Sequence, residues 1–266
     1  MMSSTEARIH RGFATLSFIL LIGVVGPANA APMITVSPGT SPPGSYLPLS
    51  LLLGASLIGG MTDDSEQSFT VPAFSYAGET WTQLSVDSNG YLVVGSLGAS
   101  SPVNQNFPNS AQPNNVLAPF WTDLNPKIGG AIYIEIVPSG GDQWIVVDWE
   151  NVPEFGIPSS INSFEVWIGV DGDAHPGEDI TFVYGVLRGT GASGLTVGAE
   201  DKTGTVGSTY YFNGVGTLPT NGTQLRVSTS GLPVSAAPVP EPVSLILLGV
   251  GLVGLTGVTW RRHRRK

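Results

Sequence analysis

Gln143-Trp144-Ile145-Val146-Val147-Asp148-Trp149-Glu150-Asn151-Val152 is the stretch that decides the fold. Successive side chains of a strand point to opposite faces, so Ile145, Val147 and Trp149 share one side. Trp144, Val146, Asp148 and Glu150 share the other. A helical turn would scatter both sets. The neighbouring segments repeat the pattern. In Ala131 to Val137, Ile132, Ile134 and Ile136 alternate with Tyr133 and Glu135, and Phe164, Val166, Ile168 and Val170 line one face of the next strand. Period-two patterns place one face on a core and leave the other largely wet.

Working outward, shorter runs of the same kind are Phe69–Tyr76, Trp81–Val86, Gly90–Val94, Val116–Phe120, Ile180–Tyr184, Leu195–Glu200, Ser208–Phe212 and Thr223–Val227. Asn89-Gly90, Gly129-Gly130, Gly140-Gly141, Asp171-Gly172 and Asn213-Gly214 supply the turns between them. Many short strands with such punctuation predict an all-β, two-sheet β-sandwich over residues 46–227. Within it, Tyr46 to Gly60 is apolar but broken by Gly54 and Gly59-Gly60, which predicts a buried strand pair or an edge segment. Thr62-Asp63-Asp64 is a polar turn. Residues 31–45, rich in Pro, Gly, Ser and Thr, read as a flexible lead-in, and residues 228–239 as a Pro-rich linker.

Both ends carry targeting patterns. Arg8 and Arg11 precede an apolar stretch from Phe13 to Val25, and Ala28-Asn29-Ala30 supplies the small residues of a signal-peptidase site. Residues 1–30 are therefore expected to be a signal peptide cut after Ala30. At the other end, Pro240-Glu241-Pro242 precedes the uncharged run Val243 to Trp260 and then Arg261, Arg262, His263, Arg264, Arg265 and Lys266. Eighteen residues at ~1.5 Å each cover ~27 Å as a helix, close to a bilayer's hydrocarbon core. The predicted single transmembrane helix is 243–260. The basic tail 261–266 is the topology signal that keeps the terminus on the cytoplasmic side.

This order of proline-acid-proline motif, span and arginine cluster, residues 240–266, resembles the PEP-CTERM sorting signal of exopolysaccharide-producing bacteria. The resemblance implies an exosortase as partner, with Pro240, Glu241 and Pro242 as the sorting motif. It also implies residence in the inner membrane before processing and then at the cell surface or in the extracellular matrix. Exopolysaccharide or surface proteins are the partners expected there.

A second resemblance lies in the middle of the chain. Tyr46–Ser50, Val71–Phe74, Ser88–Tyr91, the long block Pro113–Pro126, Val147–Pro153 and Gly177–Gly185 follow one another in order. The series is similar to the C-terminal accessory β domain of secreted bacterial subtilases, itself nidogen-like. It implies an extracellular sandwich of the binding or structural kind.

Composition narrows the chemistry. Between Ala31 and Pro240 there are four basic residues (Lys127, Arg188, Lys202 and Arg226) and eighteen acidic ones, a net of about −14. Such a surface repels phosphate backbones, which argues against nucleic acid as a partner. Cysteine is absent, so there is no disulfide framework or thiolate nucleophile. A subtilase triad needs a histidine, and the only one in this region is His175, in a turn. The expectation is a non-enzymatic protein without a cofactor.

Three sites compete with that expectation. Asp148 and Glu150 share a face and form the only plausible hydrolase pair, but exposed acids are the default on such strands and a solvated outer face is the favoured reading. Asp171, Asp173, Glu178 and Asp179 are the candidate calcium ligands, with Asp123 and Asn125 as additions if their loop lies nearby. The EF-hand pattern fails there, since Pro176 replaces its glycine and Phe182 its last glutamate. Trp144 and Trp167, out of phase with the aliphatic stripes, are the candidates for stacking on a carbohydrate, whereas Trp149 belongs to the core.

Overall fold

A computed structural model describes residues 33–96, 100–171, 180–189, 191 and 194–230. The strands in chain order are β1 (Met33–Pro38), β2 (Ser56–Leu57), β3 (Glu66–Tyr76), β4 (Glu79–Asp87), β5 (Tyr91–Val94), β6 (Val116–Trp121) and β7 (Ala131–Ser139). They continue with β8 (Asp142–Glu154), β9 (Ile157–Gly169), β10 (Ile180–Leu187), β11 (Thr196–Glu200), β12 (Gly207–Phe212), β13 (Val215–Gly216) and β14 (Gln224–Ser230). A single 3-10 turn, Leu49–Leu51, is the one helical element among the described residues.

Two seven-stranded antiparallel sheets result, ordered β1-β14-β10-β9-β8-β7-β2 and β13-β12-β11-β6-β5-β4-β3. The eight shorter strands expected from periodicity all form, each within three residues of its expected ends. Between the sheets, Ile145, Val147 and Trp149 of β8 and Phe164, Val166 and Ile168 of β9 meet Leu84, Val86, Leu92, Leu117, Phe120 and Val197 from the facing sheet. Trp149 stacks on Phe164 at 5.0 Å, and Phe120 reaches the same ring from across the gap at 5.4 Å. Burying each such side chain contributes about 1.5–3 kcal/mol. Polar tips are satisfied across the interior: Trp149 Nε1 donates to the Asp87 carbonyl at 3.1 Å, and Tyr184 Oη to that of Pro119 at 2.7 Å.

The outer faces depart from the period-two expectation, because both are covered. Outside the β8–β9 sheet, Leu49, Val137, Trp144, Val146, Trp167 and Val183 form a second apolar cluster. Outside the other sheet, Phe107 packs with Tyr91, Val93, Val116, Ala118 and Trp121, its ring 6.0 Å from that of Trp121. Each face is covered by a long connection, so the alternation marks two cores rather than core and solvent.

The ends of the domain also differ from expectation. Met33–Pro38, expected within a flexible lead-in, pairs along its length with β14, burying Ile34 and Val36. Its Pro, Ser and Thr fit an edge strand, where missing donors do no harm. β14 runs on through Ser228–Ser230, into the expected linker. Tyr46–Gly60 is neither a strand pair nor a simple edge: it is a strap with one 3-10 turn, ending in the two-residue edge strand β2 beside β7.

Candidate functional site

The strap is built where the sheet offers it acceptors. Its backbone N–H groups have no strand to pair with over Tyr46–Ser50, and buried N–H groups need partners. Three carboxylates on the outer face of β8 and β9 supply them. Asp148 Oδ1 accepts from Tyr46 Oη at 3.0 Å and Asp148 Oδ2 from the Leu49 amide at 3.0 Å. Glu150 Oε1 accepts from the Ser50 amide at 2.6 Å, and Glu165 Oε2 from the Leu47 amide at 3.3 Å. Trp167 Nε1 donates to the same Glu165 oxygen at 3.0 Å. Asp148 and Glu165 are direct cross-strand partners, which brings the third acid beside the i, i+2 pair. Gly185 leaves room for the Tyr46 ring, since a Cβ there would lie 2.6 Å from it.

The electrostatics of this cluster are unusual. Asp148 and Glu165 are fully buried and Glu150 nearly so. Burial pushes Asp148 well above the ordinary carboxylate range, and the charge of Glu165 adds to the effect. Burial pushes Glu165 up to about 8, against the hydrogen bonds from Trp167 and Leu47. The Tyr46 phenol is raised by burial and then by Asp148. Among the described residues, none of the groups acting on Asp148 or Glu165 is a lysine or arginine. Glu165 Oε1 has no hydrogen-bond partner. Burial thus favours the protonated forms of Asp148 and Glu165.

Two expectations fall here. Trp144 and Trp167, proposed as stacking platforms, are 9 % and 0 % exposed, with ring centroids 6.3 Å apart under Leu49. Asp148 and Glu150 are not on a solvated face, and the space above them is filled by Tyr46, Leu49 and Ser50. The strap is the physical reason in both cases. Glu165 was missed altogether. Its signal was the shared phase with Trp167, two residues on, opposite the stripe of Phe164, Val166 and Ile168.

A second acidic cluster is assembled from distant segments. Single carboxylate oxygens of Asp63, Asp64 and Asp123 lie within 4.8 Å of one another, a spacing that a hard cation such as calcium bridges. Asn89 orders it, donating through Nδ2 to Asp64 Oδ1 at 3.0 Å and accepting the Leu124 amide on Oδ1 at 2.9 Å. Burial, then Asp63 and Asp64, push Asp123 up to about 6. The expected calcium loop fares differently. Asp171 receives the single Ser75 hydroxyl proton between its two oxygens, at 3.0 and 3.1 Å, and Asp173, Glu178 and Asp179 lie outside the described residues, as does His175. Asn125 uses Oδ1 to accept the Lys127 amide at 3.0 Å. Elsewhere a pocket is lined by Tyr76, Trp81, Glu79, Asn115, Asp201 and Lys202, with Glu79 and Lys202 paired at its rim.

The expected signal peptide with Ala28 and Ala30, the motif Pro240, Glu241 and Pro242, the span 243–260 and the basic residues Arg261, Arg262, Arg264, Arg265 and Lys266 lie outside the described residues. Among the described residues no helix is long and apolar enough to cross a membrane.

Fold and site together define an all-antiparallel sandwich domain with a strapped acidic face. Residues 40–238 match the family described as NIDO related, and the chain belongs to that family. Residues 238–265 match the PEP-CTERM protein-sorting motif, which implies an exported protein processed at the membrane by an exosortase. No curated protein and no solved structure matches the chain.

Proposed function

We propose that the protein is a non-enzymatic component of the cell surface or extracellular matrix, anchored in the inner membrane by residues 243–260 until an exosortase acts near Pro240–Pro242. The sorting motif at residues 238–265 carries this reading. The sandwich supports the non-enzymatic part, because Asp148 and Glu150 spend their oxygens on the strap's amides and phenol. A general acid or nucleophile must reach its substrate within hydrogen-bond distance, and Tyr46 and Leu49 occupy that space. Intact-mass and terminal-peptide mass spectrometry of the protein from its host is the test. A C-terminus short of Val243 is expected, and a chain retained through Lys266 at the cell surface would overturn the sorting proposal.

A second reading, an accessory module that binds carbohydrate or protein, is favoured by one observation. Trp81 is half-buried beside the paired Glu79 and Lys202 in the pocket described above, an aromatic wall with a polar rim. Binding to a panel of soluble glycans, lost in Trp81→Ala, would bring this reading forward; no binding by the native chain would remove it.

A further inference from the structure

Polar bonds hold the strap alongside an apolar contact, since Tyr46, Leu47 and Leu52 pack half-buried on the Trp144–Trp167 cluster. Its one fully buried apolar anchor is Leu49, while Leu51 and Leu53 stand 76 % and 106 % exposed. β2, which follows it, makes only the two pairs Ser56–Ile134 and Leu57–Tyr133. Gly44, at φ +74°, is tied down by Gln224 Nε2 and the Ser41 carbonyl, whereas Gly54, at φ +104° with open space where a Cβ would stand, lets the chain pivot at the far end. Beneath it lie three buried carboxyl groups, Asp148 and Glu150 on one face of β8 and Glu165 directly across from Asp148 on β9. Asp148 and Glu165 are direct cross-strand partners, and two buried negative charges there repel, by about 4 kcal/mol for unit charges 4 Å apart even at an effective dielectric of 20. Closure is therefore favoured by a proton on Asp148 or Glu165.

From this geometry we propose that the Tyr46–Leu52 strap is a proton-dependent latch, closed over the Asp148, Glu150 and Glu165 cluster while Asp148 and Glu165 hold their protons, and released when they lose them. The titratable groups on the strap and on the same face of β7 are Tyr46, Tyr133 and, opposite Val146, Glu135, which accepts the Ile136 amide; none adds positive charge. β10 contributes Val183 opposite Glu165 and Thr181 opposite Trp167, neither of which titrates. Release hydrates the carboxylates and uncovers Trp144 and Trp167, turning a sealed apolar face into an acidic, aromatic one. The direction follows from the raised acidity constants. The closed state binds protons more tightly than the open one, so its advantage is full at low pH and is lost as pH rises through about 8, where Glu165 ionises.

Hydrogen exchange of the full chain in detergent, corrected for intrinsic rates, tests this between pH 6 and pH 9. Protection of the Leu47, Leu49 and Ser50 amides should fall about tenfold per pH unit from pH 6 to about pH 8 if one proton holds the latch, more steeply if two do, and level off above. The Ala118 and Val197 amides of the opposite sheet should keep their protection. In Glu165→Gln, which keeps an acceptor for Trp167 but cannot ionise, the fall should be less than about threefold, because one source of charge is gone. Strap protection independent of pH in the native chain would overturn the latch whether or not the variant folds. So would a loss matched by Ala118, which is global unfolding, or a folded Glu165→Gln with the native pH profile.

Discussion

Gly90 and Asp148 show how differently two residues of one sheet system declare themselves. Gly90 sits at φ +78°, and a Cβ there would collide with the Phe120 carbonyl. Strain and clash together should make Gly90→Ala cost about 2–4 kcal/mol, measured as a lowered urea midpoint. A loss under about 0.5 kcal/mol would contradict this backbone account. Its turn was legible, because Asn-Gly between two apolar runs has a local cause. Asp148 was not legible. From the chain alone, Asp148→Asn with Glu150→Gln is expected to change surface charge and little else. In the fold, an amide at 148 offers one acceptor oxygen where Tyr46 Oη and the Leu49 amide need two. Asp148→Asn should therefore destabilise the strap by about 1–3 kcal/mol, seen as faster exchange at Leu49 while the opposite sheet is unaffected. Peptide and polysaccharide substrates should show no turnover by either form, and turnover abolished by the double substitution would restore the hydrolase reading.

Among the elements, β1 and the strap carry the surprises. β1 lies at a sheet edge and buries only Ile34 and Val36, yet it covers the whole length of β14, and Gln224 Oε1 ties the following chain down by accepting the Ser41 amide at 2.6 Å. Deleting residues 33–38 should cost about 3–6 kcal/mol on burial alone and leave β14 as an open edge prone to pairing with other chains. Thermal unfolding and light scattering check both effects. An unchanged midpoint would mean that β1 is not part of the folded unit. The long strands β8 and β9 were readable, because a period of two over a dozen residues leaves little choice of element. The strap was not readable. Its apolar run suits a buried strand equally well, and only the amide-accepting carboxylates of another sheet region make an extended, unpaired segment acceptable there.

At the scale of the whole molecule, every shift resolved among the described carboxyls is upward. Burial takes Asp87 up to about 7 and both Glu165 and Glu200 up to about 8. For an acid whose folded value is raised, stability is fully present below the unfolded value near 4 and is lost as pH rises through the folded one. The loss should thus spread between about pH 4 and 8, from the unfolded to the folded values, and the net charge of the mature region works in the same direction. Urea midpoints should be higher at pH 5.5 than at pH 9. The reverse order, or a flat profile, would show that these groups are already ionised in the folded protein.

The order of apolar and polar residues was enough to determine the all-β class, the two-sheet sandwich, the positions of most strands and the kinship with the sorting motif. All of these depend on short-range periodicity or on contiguous motifs. Burial of the second faces, the companionship of Tyr46 with Asp148 across 102 positions and the gathering of Asp63, Asp64 and Asp123 were decided only by tertiary structure. A strand's alternation records that two faces exist and that they differ. What lies against the second face depends on where a loop lands, and a loop's path is set by the partners its backbone finds in the finished fold.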